Sequence, residues 1–166
     1  MKPRPRRVAV VHHPDRRTDV TMPYAPAIVV RRGQLVFVSG VTAAPVYHSH
    51  PHRDEEFDLP KNMREQATLA MENLKKTLEA AGCSLSDVAA ATRYLTDVNE
   101  QDDLNRVWAQ YLDGHLPTTT TVEVSRLATH ANCKLEITAI AVTGGVRSRP
   151  TPRAKRARGK TRRRRA

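Results

Sequence analysis

The chain has 166 residues, of which 4% are aromatic and 27% charged, and a formal net charge of +11. That length suits one ordinary domain with tails and argues against two large ones. No run of about 18 apolar residues occurs, which excludes a membrane-spanning helix, and the basic stretch Met1 to Arg7 lacks the apolar segment that a secretory signal needs.

The charge sits at the ends. Residues 1–17 hold six Lys/Arg against one acid, a net of +5, and residues 147–166 hold eleven Lys/Arg and no acid. The body, 18–146, keeps eleven basic and sixteen acidic residues, a net of −5. The chain therefore divides into a basic N-terminal extension (1–17), a mildly acidic globular domain (18–146) and a basic tail (147–166). The tail has no apolar residue larger than alanine and is expected to be disordered. Its Arg/Lys cluster would attract polyanions, nucleic acid included, by nonspecific counterion release. No aromatic side chain interleaves with it to stack on bases. Two cysteines, Cys83 and Cys133, are too few for a disulfide framework and fit a reducing, cytoplasmic compartment.

In chain order, Ala27–Val30 and Gln34–Ser39 read as strands, with Arg31-Arg32-Gly33 as a hairpin turn between them. Residues 41–60 hold three prolines and three histidines without a clear period and read as a loop, at most with one strand. From Lys61 to Ala81 the apolar residues Ala67, Ala70, Met71, Leu74, Leu78 and Ala81 recur at helical steps. Asp58 and Pro60 suit the start of that helix, and Gly82 suits its end. Val88 to Asp97 reads as a strand with Thr92, Tyr94 and Thr96 on one face and Arg93 and Leu95 on the other. Asn99 is a suitable cap for a second helix carrying Leu104, Val107, Trp108, Tyr111 and Leu112 on one stripe, closed by Gly114. Thr118–Val124 and Lys134–Val142 read as two further strands.

This order gives an α+β fold: a single domain with a mixed β-sheet and two helices packed on one face. The opposite face would expose a large apolar surface, and oligomerisation through it is the simplest remedy.

The ordered set Phe37-Val-Ser-Gly40, Arg64-Glu-Gln-Ala67, Met71-Glu-Asn-Leu-Lys75, Leu78-Glu-Ala-Ala-Gly82, Thr96-Asp-Val-Asn99, Asn105, Tyr111, Pro117, Val122-Glu-Val124, Leu135-Glu-Ile137 and Ala139-Ile-Ala141 resembles the Rid family of reactive-intermediate deaminases, also called the YjgF or L-PSP endoribonuclease family. The resemblance covers roughly residues 22–143. It implies a chorismate-mutase-like fold, a homotrimer whose sheets form a central barrel, and small-molecule ligands in the clefts between subunits. It also implies hydrolysis of reactive imines and enamines, such as 2-aminoacrylate, with no metal or organic cofactor.

Position by position, the resemblance assigns the pocket serine to Ser39, the pocket tyrosine to Tyr24, the pocket asparagine to Asn105, and the acid that positions the attacking water to Glu136. The family's arginine, in a Pro-Ala-Arg-Ser-Cys-Val type of motif, falls on Thr119 of Pro117-Thr-Thr-Thr-Thr-Val122, and its cysteine falls on Thr121. A guanidinium pairs bidentately with a carboxylate; a threonine offers one neutral hydroxyl. Losing such a desolvated partner costs about 3–5 kcal/mol, roughly two to four decades in affinity. Ordinary 2-imino acid hydrolysis is thereby called into question. Arg93 and Arg32 are candidate replacements, against a plain reading of both as solvent-facing charges.

His48-Ser-His-Pro-His52, followed by Asp54-Glu-Glu56, has the ligand types for a divalent metal, and alternate histidines of an extended segment share a side. The spacing matches no known zinc signature. It reads first as a polar loop, or as the edge of a substrate pocket with His50 as its contact; no metal is assigned. Cys83, Cys133, Trp108 and Tyr111 read as core.

The leading expectation is a trimeric deaminase or hydrolase for a small imine, enamine or related metabolite, with water held by Glu136 and a pocket of Tyr24, Ser39, Asn105, Thr119, Thr121 and His50. The alternatives are a non-catalytic ligand-binding or protein-binding trimer and an RNA-associated protein using its basic tail.

Overall fold

Leu135, Ile137, Ala139 and Ala141 are buried, while Glu136, Thr138 and Ile140 between them are half-buried. This period of two marks a strand with one face on a core and one face away from it. In the computed structural model, which describes residues 7–12, 14, 19 and 24–144, that strand lies inside a mixed four-stranded sheet. The elements in chain order are β1 (Val8–Val11), β2 (Ala27–Val30), β3 (Gln34–Val41), α1 (Met63–Ala80), β4 (Val88–Leu95), α2 (Gln101–Leu112), β5 (Thr118–Glu123) and β6 (Leu135–Thr143). The sheet order is β3-β6-β4-β5, with β4 and β5 parallel and the other pairs antiparallel.

Both helices pack on the face carrying Val38, Ala91, Leu95, Ile137 and Ala139, together with Ala67, Ala70, Met71, Leu74, Leu104, Val107 and Trp108. The other face is open: Phe37 is 72% exposed, and Leu35 and Val122 are also exposed. Two helices on one side of a mixed sheet, with a bare apolar face opposite, is the arrangement expected from the element order.

The N-terminal part differs from expectation. The hairpin between Ala27–Val30 and Gln34–Ser39 does not form. β2 pairs instead with β1, Val8 opposite Val30 and Val11 opposite Ala27. β3 pairs with β6. The turn at Arg31–Gly33, where Gly33 has φ +118°, separates two ladders rather than joining one. An alternating-length Val/Ala run inside a strongly basic segment supplied the partner. The arm is tied down by Arg7, whose guanidinium pairs with Asp87 at 2.9 Å and donates to the Val142 carbonyl. Residues 147–166 lie outside the described residues.

The helix ends also shift. Asn62, not Asp58 or Pro60, caps α1: its Oδ1 accepts from the Glu65 amide at 2.9 Å. Before α2, Asp97 rather than Asn99 caps, accepting from the Asn99 amide at 2.9 Å, and one 3-10 turn (Val98–Glu100) precedes the helix. Gly82 ends α1 as expected. Its amide donates to Glu79 O and the Cys83 amide to Leu78 O, a Schellman closure.

Gly82 sits at φ +73° with nothing within 4 Å of the position a Cβ would occupy. Gly82→Ala therefore meets no clash and reads out the left-handed backbone alone. It is expected to cost about 1 kcal/mol, seen as a lower urea midpoint at unchanged slope and fixed protein concentration.

Candidate functional site

The site begins at a break in the β3–β6 ladder. Register runs evenly from Gln34 opposite Thr143 to Val38 opposite Ala139, then jumps to Val41 opposite Ile137. Ser39 and Gly40 form the bulge. Thr138 Oγ1 donates to the Val38 carbonyl at 3.2 Å, satisfying an acceptor at the edge of the irregularity. Bulges re-aim side chains and recur beside active sites.

Gly40 lies directly against a carboxylate. The Glu136 carboxylate occupies the space a Cβ would take. Glu136 also accepts a long bond, 3.5 Å, from Thr129 Oγ1. A cleft of about 320 Å³ runs along this bulge, walled by Ser39, Gly40, Thr42, His48 and Thr129. Its far wall is fixed to α1, since Asn73 Nδ2 donates to the carbonyls of Thr42 and Ala44 at 3.0 and 2.9 Å.

A second group gathers on the helix side of the sheet. Arg93 is not solvent-facing; it is 6% exposed. The strand alternation puts it on the face of Ala91 and Leu95, beneath α2. Its Nε and one terminal nitrogen donate to Thr121 Oγ1 at 3.0 and 2.6 Å, and the other terminal nitrogen donates to Asn105 Oδ1 at 3.0 Å. The guanidinium carbon lies 5.2 Å from the centre of the Trp108 ring, a cation–π distance. Burial lowers the Arg93 pKa to about 10, so it remains charged at neutral pH. All three of these bonds go to neutral acceptors. Trp108 Nε1 beside it is buried with no hydrogen-bond partner.

The expected site residues thus fall into separate groups. Ser39 and Glu136 share the bulge. Asn105 and Thr121 are joined through Arg93. Thr119 turns its hydroxyl back to the Pro117 carbonyl at 3.3 Å, and the residue after Tyr24 donates its amide to that same carbonyl at 3.1 Å. Tyr24 is exposed. His50 is exposed and stands in a cluster with His48 and His52; His48, not His50, walls the cleft. Arg32 is exposed in the turn after β2. Cys83 and Cys133 are buried, and desolvation raises both thiol pKa values, which disfavours thiolate nucleophiles. Trp108 is core as expected; Tyr111 packs on the core edge and donates to Glu72 at 2.7 Å, and burial raises its pKa to about 12.

The family model described as Endoribonuclease L-PSP matches residues 15–143. The chain belongs to the Rid (YjgF, L-PSP endoribonuclease) family. TdcF of Escherichia coli K12, named as a reactive intermediate deaminase, is 36% identical over 113 residues, covering 66% of this chain and 80% of TdcF. A RutC family protein of Saccharolobus solfataricus is 38% identical over 119 residues, 72% of this chain and 86% of its own length. The crystal structure of E. coli TdcF with bound serine superposes with a TM-score of 0.55 at 33% identity, covering 75% of this chain and 91% of that one. The Rid protein YyfB of Yersinia pestis shares the fold at a TM-score of 0.69 and 18% identity, covering 83% of this chain and all of YyfB.

Of the residues in these two groups, Gly40 and Thr129 were not assigned to a site from sequence, and Arg93 was named only as a candidate replacement cation against a solvent-facing reading. Arg93 carried a signal, since it alternates with Ala91 and Leu95. Gly40 and Thr129 carried none that periodicity can read.

Arg93 is a buried cation held by neutral acceptors, so its replacement discriminates charge from shape. Arg93→Met removes the desolvated charge and leaves two half-buried acceptors for water; it should stay within about 2 kcal/mol of wild type. Arg93→Lys keeps a charge, hydrates more strongly and loses the fork, and should lose about 3 kcal/mol or more. Equilibrium denaturation of the two variants checks the order.

Proposed function

We propose that the chain is a deaminase of the Rid type that hydrolyses a small imine or enamine, with Glu136 as the base that holds and deprotonates water. The observation that carries this reading is the Glu136 carboxylate lying against Gly40, whose backbone, with Ser39, walls a cleft of about 320 Å³. A carboxylate in a partly dry cleft is suited to general-base work. For 2-aminoacrylate, tautomerisation moves a proton to the methylene carbon and gives the imine. Water adds to the imine carbon as Glu136 takes its proton. That proton passes to the nitrogen to give the carbinolamine; the hydroxyl proton then moves to the nitrogen, and ammonia leaves as the C–N bond breaks and the keto group forms.

The reading includes a homotrimer of chorismate-mutase-like protomers, with ligand clefts between copies. The exposed Phe37, Leu35 and Val122 support it, because burying such a face stabilises by about 25 cal/mol per Å². So does the division of the expected residues among separate groups in one protomer, which neighbouring copies would complete.

In this scheme Arg93 takes over the cationic anchor that the resemblance places at position 119, and it serves the Glu136 of a neighbouring copy, since the two lie on opposite faces of one sheet. Arg93 stands opposite Thr121 in the parallel β4–β5 ladder, one strand in from the open β5 edge. A buried guanidinium bonded only to neutral oxygens, next to an unpaired indole N–H, is a donor-rich spot suited to a carboxylate. The serine bound by TdcF carries such a carboxylate.

Ammonia release from enzymatically generated 2-aminoacrylate tests the scheme. Wild type should be active. Glu136→Gln should lose about 10²- to 10⁴-fold in kcat, and Arg93→Met about 10²-fold or more in kcat/KM. An inactive wild type that gains activity in Thr119→Arg would show that Arg93 does not replace the missing guanidinium. Glu136→Gln equal to wild type would remove Glu136 from the chemistry. Sedimentation as a single protomer would remove the shared clefts.

A further inference from the structure

Between β3 and α1 the chain brings three imidazoles into mutual contact. The ring centres of His48, His50 and His52 lie 4.9, 5.0 and 4.9 Å apart in pairs, and one ligand-capable nitrogen from each lies within 4.8 Å of the other two. We propose that His48, His50 and His52 form a binding site for a late first-row divalent cation such as Zn²⁺. The inference does not depend on imine hydrolysis.

The geometry is close to what a cation requires. Zinc–imidazole bonds of about 2.0–2.1 Å set nitrogens roughly 3.4 Å apart around a tetrahedral centre. Small rotations of exposed side chains close the remaining gap. The tautomer of His48 suits a ligand. Its Nδ1 lies 2.9 Å from the Pro45 carbonyl, and a carbonyl can only accept, so Nδ1 carries the proton and Nε2 presents its lone pair. A backbone carbonyl fixing the tautomer of a ligand histidine is the usual supporting arrangement at metal sites.

The loop is held in shape without the cation. Glu56 accepts from the Ser49 amide at 2.8 Å and from Ser49 Oγ at 2.9 Å, clamping the residue between His48 and His50. The fully buried Phe57 forms the floor, 5.2 Å from the ring centres of both His48 and His52. His130 stacks on the same phenyl ring at 4.4 Å but directs its Nε2 to Asp54 at 3.3 Å. It is a neighbour of the triad rather than a fourth ligand.

The donor set selects the ion. Three neutral imidazoles with no thiolate and no carboxylate suit Zn²⁺, Co²⁺, Ni²⁺ or Cu²⁺, and disfavour Mg²⁺ and Ca²⁺, which take oxygen ligands. Three protein ligands leave a position for water or a ligand atom. Because His48 also walls the cleft of Ser39 and Gly40, the bound cation would stand at the rim of that cleft.

The test uses the full chain without a histidine tag, stripped with chelator and titrated with Zn²⁺ by calorimetry and with Co²⁺ by absorption. One cation per chain is expected, with Co²⁺ ligand-field bands of a site of low coordination number. His50→Ala and His52→Ala, both at exposed positions, should each weaken Zn²⁺ binding by about 100-fold or more. His130→Ala and the double variant His12→Ala/His13→Ala should leave it within about threefold. Absence of stoichiometric binding overturns the proposal. So does binding that survives loss of His50 and His52, or that follows His12, His13 or His130 instead.

Discussion

Everything in this molecule follows from the pairing of β4 with β6 at the centre of a sheet that has helices on one side only. In that ladder Arg93 stands opposite Ile137, and Tyr94 stands opposite Glu136. Residues opposite one another share a face, and successive residues take opposite faces. One step along the strand therefore separates a guanidinium sealed under α2 from a carboxylate on the open side. A slip of one residue would bury Glu136 among Leu74 and Trp108 and expose Ile137, so the hydrophobic pattern of β6 fixes the chemistry as firmly as it fixes the core.

The threonine run of β5 is intelligible in that frame. Thr121 is at once the register partner of Arg93 and the acceptor of two of its N–H groups. A side chain that is β-branched and also carries an acceptor satisfies both the strand and the cation. An apolar residue of similar volume would leave the guanidinium with Asn105 alone, at the cost of an under-satisfied buried charge. The threonine at position 121 and the buried arginine on the adjacent strand thus form one local arrangement.

Much of this was legible in the sequence, and the failures have physical causes. The helices, the four core strands and the bare apolar face followed from periodicity, because burial against one layer imposes it. The separation of Thr92 and Tyr94 from Arg93 and Leu95 was also visible, and it already placed Arg93 on the core side; the charge of arginine argued for solvent, and tertiary context overrode it through Thr121, Asn105 and Trp108. The β1–β2 pairing was not legible, because register between strands distant in sequence is set by tertiary packing, and the Arg31–Gly33 turn looked like a local hairpin. Asn99 was read as a cap where Asp97 serves, since both are good caps two residues apart and only the backbone path decides. The bulge at Ser39–Gly40 is likewise invisible to a period of two, being a defect in it.

That defect also shapes the end of β3, where Ser39, Gly40 and Glu136 meet. A regular ladder would have continued past Val38 and covered Glu136 with the next pair of side chains. The jump in register leaves Gly40 beneath the carboxylate and lifts Ser39 out of line. The chain leaving the bulge then lacks ladder partners and must satisfy its backbone elsewhere. Asn73 takes two of its carbonyls, and Ala44 returns its amide to Thr42 Oγ1 at 3.1 Å. A segment held by side chains rather than by a sheet is free of strand and helix periodicity, and it can place three histidines on one side of a phenylalanine without disturbing the core. The cleft and the histidine cluster both lie along the chain that leaves this missing rung, which walls the cleft with Thr42, Ala44 and His48.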